Sequence, residues 1–183
     1  RITMEACSQA AFEAAYSSAA PGDTIAFPPG RCEITWSGST EFAKRNLVIQ
    51  GQGASDTILS GVHWTISGSG ADFIGALRAG TGGGTWAGPI AIGTAGARLG
   101  ATAGTILTVT GTIADGAANS LAVSGQSGTG VVVINPATTN TYTGATQIIR
   151  GILQLGKTDA LPVTTVLDVD AASSVTDAAV FDL

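Results

Sequence analysis

Residues 140–156 read NTYTGATQIIRGILQLG. Gly, Thr and Asn punctuate short apolar runs, and Arg150 is the only charged residue in the stretch. Such bursts, each closed by a turn residue, are the pattern of short strands. Working outward, the same pattern recurs as PIAIG (89–93), TILTVTGTI (105–113), SLAVSG (120–125) and GVVVIN (130–135). It continues through TQIIRG (146–151), ILQLG (152–156), TVLDVD (165–170) and AVFDL (179–183). The intervals of roughly 6 to 14 residues suit a sandwich or a solenoid.

Three features favour the solenoid. The Cys, Trp, Cys core of an immunoglobulin domain is missing. Asp115-Gly116 is the clearest of few two-residue hairpin turns. The chain also opens with a segment suited to covering a first coil. In CSQAAFEAAYSSAAPGD (7–23), Ser8 caps an Ala-rich helix with Phe12, Ala15, Tyr16 and Ala19 on one face, and Pro21-Gly22 stops it. DTIAFPPG, RCEITWSG and RNLVIQGQG follow as short strands.

Composition agrees. Of 183 residues only 11% are charged, against the usual quarter, and 26 are Gly. Mean hydropathy is +0.34, yet no run approaches the ~20 apolar residues of a membrane-spanning helix, so no membrane insertion is expected. Stacked coils need small aliphatic interiors, here the ladders Leu107, Val109, Leu121, Val123, Val132, Ile134, Leu153 and Leu155. Outward Thr and Ser solubilise the strands. Glycines such as Gly111, Gly125, Gly144, Gly151 and Gly156 set the corners by admitting positive φ.

The tract GTGVVVINPATTNTYTGATQIIRGILQLGKTDALP (128–162) resembles the autotransporter-associated β-strand repeat of bacterial passenger domains. The carrying residues are Gly128, Gly130, Val131 to Asn135, Asn140 to Thr146, Gly151 to Gly156 and Asp159 to Pro162. GTILTVTGTIADG (104–116) and TTVLDVDAASSV (164–175) look like its opening and closing strands. Over 104–183 the resemblance implies an exported right-handed β-solenoid acting as a surface stalk or adhesive array, without catalytic residues. Residues 5–60, through Pro21-Gly22-Asp23, Pro29-Gly30 and Asn46 to Gly53, are similar to the opening of pectate-lyase-like β-helices, where a helix caps the first coil. The expected fold is therefore an all-β right-handed parallel β-helix with a short N-terminal capping helix. It forms one domain, with cap and first coils over 1–60, Gly/Ala-rich coils over 61–103 and the strand repeat over 104–183.

Enzymes on such folds work with clustered carboxylates or a basic proton acceptor. From Ala79 to Ile149 the only charged residues are Arg98, read as an outward strand residue, and Asp115, read as a turn residue. The sequence therefore points away from an enzyme, and no cofactor is expected. Asp168, Asp170 and Asp177 lack the loop pattern of an EF-hand, so they are read as a solvated edge and no metal is expected. GQGASD (51–56) has glycines but lacks the Lys-Ser/Thr of a phosphate loop. His63 is read as a strand residue without a catalytic Cys partner. Net charge is −5 and the basic residues are scattered along the sequence, which excludes a nucleic-acid partner.

Cys7 and Cys32 are read as one structural disulfide, the alternative being two buried thiols. Trp36, Trp64 and Trp86 recur at about one coil's spacing: facing in, they fill the wide end of the core, and facing out, they form a saccharide-stacking strip. The chain begins at Arg1, as a processed or trimmed product does, and ends on the apolar strand AVFDL without a polar cap. Either the natural protein continues, or this open coil docks on a partner, for example by end-to-end self-association. The expected role is an extracellular or bacterial cell-surface structural or adhesive solenoid. The alternative is a carbohydrate-active module engaging a surface polysaccharide.

Overall fold

The computed structural model describes residues 1–30, 32–35, 48–50, 57–60, 64–70, 73–169 and 177–183. The chain winds as a parallel β-helix of about six turns. On one face β1 (Ile2–Thr3), β2 (Thr24–Ala26) and β4 (Val48–Gln50) form a small sheet. Further along the axis, that side is continued by β7 (Leu77–Ala79) and the second half of β9 (Ile90–Ala101). Next come β12 (Leu121–Gly125), the first half of β14 (Thr146–Leu155) and β15 (Leu167–Val169). The second face stacks β3 (Cys32–Thr35), β5 (Thr57–Ser60), β8 (Gly84–Trp86), β10 (Ile106–Val109) and β13 (Val131–Ile134). It ends in the second half of β14 and β16 (Ala179–Asp182). The third face holds β6 (Trp64–Gly68), the first half of β9 and β11 (Ile113–Asp115). Every pairing among the described strands is parallel.

Register makes the interior continuous. Leu107 stacks on Val132 and Val132 on Leu153, while Val109 stacks on Ile134 and Ile134 on Leu155. Leu99, Leu121, Val123, Val132, Ile134, Ile148 and Leu153 are fully buried; Leu155 is half-buried. Coil length is not constant, with Ile106 pairing Val131 and Val131 pairing Ile152. The difference is taken up in the connections between strands, and outward residues stay in register like inward ones, Thr108 stacking on Val133 and Val133 on Gln154.

The helix α1 (Gln9–Ser18) covers the first coil. Ser8 caps it, its Oγ accepting the Ala11 N–H at 3.1 Å, and Phe12, Ala15 and Ala19 are buried. Beneath it the aromatic rings collect: Phe12 lies 6.1 Å from Phe27 and 6.2 Å from Trp64, and Trp64 lies 4.8 Å from Trp86. The helix-capped end is thus filled by rings, and the later coils mainly by aliphatic side chains with Tyr142 among them.

The corner glycines work differently from the expectation. Of Gly111, Gly125, Gly144, Gly151 and Gly156, only Gly151 has a positive φ (79°). The others are required by close approach. A seam of Gly75, Gly100, Gly125 and Gly151 runs down one corner, one per coil. A Cβ on Gly100 would sit 2.0 Å from the Ile74 carbonyl oxygen, and one on Gly125 2.0 Å from that of Gly130. Backbone occupies the space a side chain needs.

Candidate functional site

Three polar residues of the opening stretch, Asn140, Tyr142 and Thr146, turn inward. Asn140 Oδ1 accepts the Ile113 N–H at 2.7 Å, and its Nδ2 donates to the Ala160 carbonyl at 2.7 Å. One buried amide thus clamps backbone groups from two other stretches of chain. The Tyr142 hydroxyl lies 2.6 Å from Thr146 Oγ1, which lies 2.9 Å from Thr165 Oγ1, and Thr165 donates to the Gly144 carbonyl at 2.8 Å. Burial raises the Tyr142 pKa to about 12 despite these hydroxyl contacts. Thr146 is therefore an interior residue, not one of the outward threonines expected from its type.

Asp115 staples coils from outside. Its carboxylate accepts the N–H groups of Asn119 at 3.0 Å and Thr143 at 2.9 Å, and the Thr143 hydroxyl. Burial works to raise its pKa, but the Thr143 and Asn119 hydrogen bonds outweigh it and hold the carboxyl below the usual range. A turn residue by sequence, it bonds across to the next coil.

Cys7 and Cys32 form a disulfide with Cα atoms 5.4 Å apart, tying the segment before α1 to β3. Trp64 and Trp86 lie inside, 8% and 3% exposed, so neither presents a ring face to a saccharide. Trp36, His63 and Asp170 lie outside the described residues. Asp168 is exposed on β15, and Asp177 forms an ion pair with Arg150 at 3.3 Å. Among the described residues no three His, Cys, Asp or Glu side chains converge as a metal site, and no helix is long and apolar enough to cross a membrane.

One surface constellation was not readable from the sequence. Arg98 and Arg150 are brought together on the first face, although 52 positions separate them. Arg98 Nη1 donates to the Phe73 carbonyl at 2.6 Å, and Ser124 Oγ donates to the same oxygen at 3.4 Å. Arg150 Nε donates to Ser124 Oγ at 3.1 Å. Burial, and secondarily the Arg150 charge, push the Arg98 pKa down from the ordinary guanidinium value. Phe73 itself adopts φ 55° and leaves its ring 70% exposed. Beside Arg98 opens a shallow groove of about 300 Å³, with Ser69, Gly96, Ser120 and Gln147 among its lining residues.

No protein-family model, curated protein or solved structure matches this chain. What the coordinates establish is a β-solenoid.

Proposed function

We propose that this chain is a structural unit of an extracellular rod, a segment of a surface passenger of the kind its 104–183 repeat resembles. The supporting observation is how its buried polarity is used. The buried polar side chains among the described residues are Ser124, Asn140 and Thr146, and each is engaged in hydrogen bonds that link coils or corners. Chemistry needs polar groups held ready for a substrate; these are committed to the scaffold. The Cys7–Cys32 disulfide supports a non-reducing location.

Self-association belongs to the same reading. With α1 over the first coil, the exposed apolar side chains Val166, Val169, Val180 and Leu183 gather at the other end, on and beside β15 and β16. Apolar side chains beside strands can dock a second copy of the chain. Like ends can pair there, whereas a head-to-tail fibre would have to displace the helix. Negative-stain electron microscopy with light scattering tests both parts. Tail-to-tail dimers agree with the self-association and monodisperse monomers would count against it; long fibres would show that the helix yields its coil, and globular particles without a solenoid profile would refute the rod.

A further inference from the structure

We infer that Phe73, Arg98 and the adjoining groove form a binding site for an anionic saccharide. Three independent observations converge on it. A bulky aromatic residue at φ 55° is a backbone outlier of the kind that persists only where surrounding structure enforces it. Here the enforcement is visible: Arg98 and Ser124 both donate to the Phe73 carbonyl, which fixes the loop and keeps the ring in solvent. Packing does not explain the residue, because its side chain is the part left uncovered.

The second observation is charge. Arg150 has Asp177 as counterion, but among the described residues Arg98 has no carboxylate beside it, and its Nε is buried without a hydrogen-bond partner. A partly desolvated guanidinium, with a second guanidinium one serine away, favours an incoming carboxylate or sulfate. Overall the chain is acidic, with a net charge of −5, so this local positive site opposes the global field. Two arginines are too few to hold a nucleic-acid backbone, which is bound through many phosphate contacts.

The groove supplies the third. Ser69 and Ser120 bring hydroxyls and Gln147 an amide, groups that match sugar hydroxyls. Phe73 is not a lining residue; it is joined to the groove through Arg98, which lines it, and its exposed side chain suits a sugar's apolar face. The site is distinct from the scaffold role and does not depend on it.

Calorimetric titration with alginate, dextran sulfate and uncharged dextran tests the inference on the intact chain. One or both polyanions should bind, and dextran should not; which polyanion binds separates carboxylate from sulfate recognition. Phe73→Gly should weaken binding at least tenfold while leaving the melting temperature unchanged or higher, because glycine accepts the positive φ. Arg98→Gln should weaken it comparably and remove most of its salt dependence. The inference is overturned if neither polyanion binds, or if Phe73→Gly binds like the parent, since adhesion would then be charge alone.

Discussion

At the scale of single residues, the fold depends on positions whose chemistry looks bland. Gly100→Ala forces a Cβ against the Ile74 carbonyl, a backbone atom that cannot swing away, and should cost about 1–3 kcal/mol. Gly84→Ala meets nothing within 4 Å at an ordinary φ and should be neutral or stabilising by up to about 1 kcal/mol. Urea titration of the two variants separates close approach from glycine content. Asn140→Ala strands the Ile113 N–H and the Ala160 carbonyl in the interior and should cost about 2–5 kcal/mol by the same measurement. Asp115 predicts a pH effect. Its folded pKa is depressed, so its contribution is full above the unfolded carboxyl's pKa of about 3.9 and is lost as pH falls through the folded value. Asp115→Asn should lower stability at neutral pH and flatten the acid decline, read from urea midpoints between about pH 6 and about pH 2.5. The inward ladder from Leu107 to Leu155 was readable because strand parity alone assigns it. Phe73 was not, because its strain is imposed by Arg98 and Ser124, residues 25 and 51 positions away. Thr146 was misread for a related reason: a polar type on a strand signals surface until its partners on other coils are known.

Among the elements, β14 and α1 carry most of the argument. A single run, Thr146–Leu155, serves two faces because Gly151 bends it midway, and sequence reading divided it correctly into TQIIRG and ILQLG. The helix was readable from its cap and apolar face. What sequence could not supply was the meeting of Phe12 with Phe27, Trp64 and Trp86, since one ring comes from α1 and the others from three different coils. The disulfide holds this lid. It closes a separation of 25 residues, for which restriction of the unfolded chain corresponds to roughly 3–4 kcal/mol. Reduction, or Cys7→Ser with Cys32→Ser, should lower the melting temperature. Increased dye binding to the exposed aromatic end is expected alongside, and an unchanged melting curve would mean that α1 is held by its apolar face alone.

For the whole molecule, coil stacking sets the size. About six turns at the strand spacing of about 4.8 Å give a body about 30 Å tall. The proposed rod would therefore require more coils or a second copy. Stacking also explains the arginine cluster: Arg98 and Arg150 lie far apart in sequence, and β12, pairing with β9 on one side and β14 on the other, brings them onto one face. The stack is defined by which residues are neighbours one turn apart. The most direct test places cysteines at Thr108 and Val133, outward partners on β10 and β13, and bridges them with a short bifunctional thiol reagent spanning one strand spacing. Thr108→Cys with Val133→Cys should bridge in high yield in the native state. Thr108→Cys with Gln154→Cys, two coils apart at about 10 Å, should not. Equal bridging of both pairs, or of neither, would contradict the stacked parallel solenoid and the sites built on it.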